Sequence, residues 1–187
     1  MMRVVAGLMF LVAATAGAQD MKVVKDPNHS EITFIAESRL IDAHGRWDKW
    51  DADIMVNPSA WEQSSVKLTI DARSVNTQVA MRDNDLRGPR FFYVDSFPTI
   101  TFESKIVNKI SDTRFNITGD LTIRGITKSV TIPANLVFYD DKTRGGRFRG
   151  QFTVLRNDYG VGFNPPGNPI ADEVAVSFNV TFRPAAR

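Results

Sequence analysis

His29 and His44 are the only imidazoles in this 187-residue chain, and it contains no cysteine. A transition-metal site ordinarily takes three or four ligands with their own outer partners. The sequence therefore predicts no metal centre, and the absent thiols exclude thiolate chemistry and a disulfide framework. Carboxylates cluster in Arg82-Asp83-Asn84-Asp85-Leu86-Arg87. Asp83 and Asp85, two apart, would point to different faces of a helix, which reads as a solvated helix with an internal ion pair or cap. Asp140-Asp141 falls in a turn, and Gly160-Val161-Gly162 does not open a helix after a strand, so it is no dinucleotide loop. Any acid–base chemistry would fall to His44, Asp83 or Asp85. The pattern favours a protein that is not an enzyme and holds no cofactor.

The chemistry the chain could do is apolar binding, and the elements that must position it are strands. Ile32, Phe34 and Ala36 alternate with Thr33, Ile35 and Glu37. The same period of two recurs through Trp50–Val56, Val66–Ile70, Ile100–Phe102, Phe115–Ile123, Val130–Phe138, Phe148–Val154 and Val174–Phe182. Eight such segments predict an all-β, mostly antiparallel protein with one dry face per strand. An eight-stranded up-and-down barrel removes the exposed edges; a two-sheet sandwich is the alternative. The pattern GDLTIRGITKSVTIP, residues 119–133, reads as one hairpin of that barrel. An outer-membrane barrel, apolar outward, would share the alternation, but the wet faces carry too many charges for a narrow lumen.

Two connections are long. Residues 73–98 contain a stretch, Gln78 to Leu86, that predicts a short helix ended by Gly88-Pro89. Phe91-Phe92-Tyr93 follows it and reads as the underside of a lid. Residues 157–172 are rich in Gly, Pro and Asn. Long connections in a compact domain commonly carry function.

An eight-stranded barrel can be filled or can hold one small ligand. Ala36, Ala52, Gly119, Ala134 and Gly150 fall on the dry face among large residues. They read either as accommodation of barrel curvature or as width left for a ligand. On the second reading an apolar, elongated guest would touch Phe34, Trp47, Trp50, Phe91, Phe92, Phe102, Gly119, Leu121, Phe138, Phe152 and Phe178, with Gly119 facing the bore.

Residues 1–18, MMRVVAGLMFLVAATAGA, carry one charge, Arg3, an apolar run from Val4 to Ala14 and a small-x-small ending. They read as a secretory signal peptide, too short for a comfortable membrane span, leaving residues 19–187 as one domain in the periplasm. The formal net charge of +2, with interspersed signs, gives no footprint for nucleic acid.

The chain carries, in order, His29-Ser30, Gly45-Arg46-Trp47, Ser74-Val75-Asn76-Thr77, Arg82-Asp83-x-x-Leu86, Phe91-Phe92-x-Val94 and Phe97-Pro98-x-Ile100-x-Phe102. Gly119-Asp120-Leu121-Thr122-Ile123-x-Gly125-x-Thr127-Lys128-x-Val130, Arg156-x-Asp158-Tyr159-Gly160 and Ile170-x-Asp172-x-Val174 follow. In these motifs, their order and their spacing, the chain resembles the YceI-like family. The resemblance implies a lipocalin-like barrel with a short helical lid, periplasmic export, no agreed enzymatic activity, and an isoprenoid-type lipid or quinone in the bore. A homodimer is left open. Where the family often has Arg-Asp-x-His-Leu, this chain has Asn84-Asp85-Leu86. Two other readings stand beside the carrier: a structural or stress-response interaction module with a filled barrel, and an enzyme acting on an isoprenoid lipid.

Overall fold

The structure, a computed structural model, describes residues 20–162 and 169–185; the expected signal peptide lies outside them. The strands are β1 (Met21–Lys25), β2 (Glu31–Ser38), β3 (Ala43–Trp47), β4 (Trp50–Val56), β5 (Ser65–Asp71), β6 (Val75–Asn76), β7 (Thr99–Lys109), β8 (Arg114–Ile123), β9 (Ile126–Asp140), β10 (Gly145–Leu155) and β11 (Ile170–Pro184). All pair antiparallel.

Three barrel strands are interrupted. β1 and β2 both pair with β11, β3 and β4 pair with β2 and β1, and β6 and β5 pair with β3 and β4. Counted as composites, the order is that of a closed eight-stranded meander, sealed where β1 meets both β4 and β11. Closure excludes the sandwich. The interruptions are repaired locally. Ser74 Oγ accepts from Lys49 N at 3.0 Å and donates to Asp71 O at 2.7 Å. Asp48 accepts from Asn76 Nδ2 at 2.8 Å and Arg46 Nε at 2.7 Å. Ser30 Oγ accepts from Thr181 N at 3.0 Å where β1 gives way to β2. Each bond satisfies a backbone or side-chain group that the broken ladder would leave unpaired.

The apolar faces point inward, and the alternating charged residues, such as Glu31, Asp53, Lys67 and Glu103, are exposed. Phase changes occur at two bulges. On β7, Ser104 pairs with Gly119 and Ile106 with Thr118, so Lys105 is extra. On β9, Leu136 pairs with Phe148 and Phe138 with Arg147, so Val137 is extra. An inserted residue reverses every later side chain. Phe138 therefore faces outward and is 50% exposed, correcting the inward assignment; Tyr139 turns inward in its place.

The β8–β9 hairpin turns through Arg124 and Gly125, both at positive φ (50° and 74°). This is the two-residue turn whose twist matches antiparallel strands. It lies at the same end of the barrel as α1 (Ala80–Arg87), close to the expected helix, and as the segment after it. Gly88 ends α1 with its N–H on Asp85 O, followed by Pro89.

Candidate functional site

The barrel encloses a cavity of about 700 Å³. A barrel filled by its own side chains is therefore not what the sequence encodes. Its floor is aromatic. Trp61, in the β4–β5 connection, packs on Phe115, Tyr139 and Phe148 at centroid distances of 5.8, 5.5 and 5.8 Å, and Phe148 stacks on Phe182 at 5.8 Å. Its roof is the lid pair Phe91 and Phe92 with Trp47, which sits 4.9 Å from Phe34 and 6.0 Å from Phe92.

Of the residues expected to touch a ligand, Phe34, Trp47, Trp50, Phe91, Phe92, Phe102, Leu121, Phe152 and Phe178 line this one cavity. Lys25 Nζ lies over the Trp50 ring at 4.4 Å. Phe138 does not line it, for the reason given by the Val137 bulge. Gly119 does not line it either. A Cβ there would meet the Glu103 carbonyl oxygen, and the Phe102 ring at 2.7 Å. The glycine admits the neighbouring strand and its ring, and does not itself leave open width. Ala36 and Ala52 do line the bore.

The lid is held on one side. Arg124 Nη1 donates to Phe91 O at 2.8 Å and to Gly160 O at 2.6 Å, and its guanidinium stands 5.8 Å from the Tyr93 ring centroid. Arg73 pairs with Asp95 at 2.6 Å, and Arg87 donates to the carbonyls of Arg73 and Val75, each at 2.8 Å. On the other side, Leu40, Ile41, Val79 and Met81 line the cavity while being 81, 76, 46 and 79% exposed. They form the mouth, between the β2–β3 loop and the start of α1.

The acid–base candidates stand in three separate settings. His44 is exposed on β3. Asp83 is buried, and its Oδ1 accepts from Thr77 N at 2.8 Å and Thr77 Oγ1 at 2.5 Å; it anchors the start of α1. Asp85 reaches the cavity rim and pairs with Arg90 at 3.8 Å. Among the described residues, no group of three or more His, Cys, Asp or Glu could hold a metal ion, and no helix is long and apolar enough to cross a membrane.

Sequence reasoning missed Trp61 at the centre of the floor and two polar residues of the lining, Arg156 and Tyr159. Trp61 lies in a loop, where strand periodicity gives no direction. Arg156 is buried and donates to the carbonyls of Ala171, Val161 and Ile170 at 2.8, 3.0 and 3.0 Å, and to Asn157 Oδ1 at 3.1 Å. Tyr159 is buried, and burial, with the Asp158 carboxylate nearby, pushes its hydroxyl above the usual tyrosine range. Trp47 was expected, but not the isolation of its indole N–H, which, like the Tyr159 hydroxyl, has no hydrogen-bond partner among the described residues.

Comparison with known proteins agrees with this architecture. A UPF0312 protein of Pseudomonas aeruginosa is 36% identical over 181 residues, covering 93% of this chain and 92% of the relative. Burkholderia cenocepacia BcnA superposes with a TM-score of 0.78 at 24% identity, over 84% of this chain and 98% of that one. A polyisoprenoid binding domain from Saccharophagus degradans superposes with a TM-score of 0.65 at 15% identity, over 88% of this chain and 99% of that one. At these identities the two solved structures show the fold. The YceI-like domain matches residues 24–182, and with β1 through β11 inside or touching that span, the chain belongs to the YceI-like family.

Proposed function

We propose that this protein binds an elongated apolar lipid of the isoprenoid type in the barrel and carries or stores it in the periplasm, without chemical change. The observation that carries the reading is the cavity itself: about 700 Å³, lined almost entirely by hydrocarbon and aromatic side chains, with an aromatic floor and an apolar mouth. At roughly 30 Å³ per water-sized atom, that volume takes about twenty to twenty-five carbons, or four to five isoprene units. Each buried CH₂ contributes about 0.8 kcal/mol, so such a chain binds without a charged anchor. Ligand pockets of this size are ordinarily pre-formed and apolar, and the polyisoprenoid binding domain of Saccharophagus degradans has the same fold. The apolar run and small-x-small ending of residues 1–18 support export.

The test is native mass spectrometry of the protein purified from its own cell envelope, with solvent extraction of the bound fraction. A stoichiometric lipid of about twenty carbons or more, whose mass fits repeated isoprene units, is expected. An empty protein that takes up no added prenyl lipid would overturn the reading.

A further inference from the structure

The wall of the cavity is made by strands, but the centre of its floor is not. Trp61 belongs to a single helical turn, Trp61–Gln63, in the connection between β4 and β5. β4 and β9 are four strand-to-strand steps apart whichever way the ring is followed, through β5, β7 and β8 or through β1, β11 and β10. The Trp61 indole nevertheless meets Phe115 on β8, Tyr139 on β9 and Phe148 on β10, at centroid distances of 5.8, 5.5 and 5.8 Å. A ring that starts beside β4 and touches three successive strands on the far side crosses the bore. Trp61, Phe115 and Phe148 all line the cavity.

The connection is built to hold that ring in place. Asn57 is buried, and its Oδ1 accepts from Ser59 N at 3.2 Å and Ala60 N at 3.1 Å. Its Nδ2 donates to Gln63 Oε1 at 3.0 Å and to Asp20 Oδ1 at 3.1 Å, and its backbone N–H donates to Ser64 Oγ at 3.1 Å. One side chain thus ties together the residues on both sides of Trp61. The backbone polar groups of the connection are satisfied within it, so the turn does not depend on a strand partner. Held from below by Asn57 and from across the bore by three rings, the indole is a fitted stopper.

We infer that Trp61 is the residue that sets the length of the guest chain. This rests on the lipid-binding reading and deepens it, by naming what limits the chain. A prenyl chain enters at the mouth with its apolar tail first, because a polar end loses more by leaving water. The tail runs the length of the bore and stops at the indole. The cavity of about 700 Å³ is then full at about twenty to twenty-five carbons. Units beyond that cannot pass the floor and stay outside the mouth in water. Each methylene left there forgoes about 0.8 kcal/mol, so two of them already cost about tenfold in affinity.

The test offers the intact protein an equimolar mixture of farnesol, geranylgeraniol and solanesol, prenyl alcohols of increasing length, from detergent micelles. The retained fraction is extracted and quantified. Wild type should hold farnesol and geranylgeraniol and take at least about tenfold less solanesol. Trp61→Ala should raise the solanesol share at least about tenfold, and Trp61→Leu, which keeps an apolar contact but not the reach, should move it the same way. Far-UV spectra and thermal midpoints confirm that each variant folds. A purely structural role for Trp61 would lower retention of all three alcohols together and overturn the inference. So would a wild type that takes solanesol as readily as geranylgeraniol, or variants with an unchanged length profile. Independently of any variant, geranylgeraniol carrying a diazirine at its tail end should, on illumination, label Trp61 or its ring partners in the wild-type protein; label confined to the mouth would also overturn the inference. Retention of none of the three alcohols would instead overturn the lipid-binding reading itself.

Discussion

Gly150 and Phe178 face each other across β10 and β11, and the Phe178 ring fills the space that a side chain on Gly150 would need. Two ring carbons lie 2.5 Å from where its Cβ would stand. Gly146 and Phe182 form the same pair one turn of the ladder away, at 2.6 Å, and Gly45 sits under its direct partner Phe34. At Gly119 the ring is that of Phe102. A ring over a strand glycine restores the cross-strand contact the glycine lacks. It also lets Phe34, Phe102 and Phe178 line the wall without crossing the bore.

Gly119→Ala should therefore destabilise the barrel. The new methyl would meet the Glu103 carbonyl and the Phe102 ring, and overpacking of this kind costs about 1–3 kcal/mol. The urea midpoint should fall with the slope unchanged. A midpoint equal to wild type would show that the bulge at Lys105 yields to the methyl.

Ala52→Trp tests the bore itself. Ala52 lines the cavity between Trp50 and Ile54, and an indole there takes up space without displacing a packed neighbour. Bound lipid should shift to shorter chains, and affinity for a twenty-carbon prenyl lipid should fall by at least about tenfold, a loss of two buried methylenes being enough. Unchanged uptake would mean that the chain runs along the opposite wall.

Arg124→Ala should loosen the lid without unfolding the barrel. The substitution frees the carbonyls of Phe91 and Gly160, and hydrogen bonds to a charged group contribute about 1.5–3 kcal/mol each at best. Hydrogen exchange should quicken in residues 88–97 and remain slow in β8 and β10. Faster exchange spread over the barrel would instead make Arg124 a determinant of the whole fold.

Asp48→Asn should flatten the acid limb of the stability profile. The Asn76 amide, and then the Arg46 guanidinium, hold the Asp48 carboxyl below the usual carboxylate range. A depressed value means that the unfolded chain binds the proton more readily. The contribution is therefore full above about pH 4 and is lost as the pH falls through the folded value. Asp48 is partly exposed, so the effect is modest. Urea midpoints taken from about pH 5 to about pH 2 should converge for the two proteins at the acid end; parallel curves would show that Asp48 is not coupled to folding.

Much of the barrel was legible because its long strands keep a period of two against a dry interior. Phe34, Phe102, Phe152 and Phe178 fall where that period puts them. It failed at Phe138 because a single extra residue, Val137, reverses the phase and leaves no mark in the pattern. β1 was invisible: MKVVK is five residues long, and only its pairing with β4 and β11 shows that it closes the ring. Alternation could not choose between the two readings of Gly119, because it tells which way a residue points and not what the adjacent strand places over it. Trp61 and Tyr159 lie in connections, where side-chain direction is set by tertiary packing. The lid was read correctly from its helix stop and its aromatic pair, because both signals are local.

The lid is tied down along the Arg124 side, and on the other side the exposed Leu40 and Met81 line the cavity; on the function proposed above, a long guest would pass lengthwise between them. A chain withdrawn that way re-enters water one unit at a time. At about 0.8 kcal/mol per methylene, each five-carbon unit slows escape into water on the order of a thousandfold. The barrel would therefore behave as a timer whose interval is set by the length of its guest. Discharge becomes prompt only where something apolar waits at the mouth.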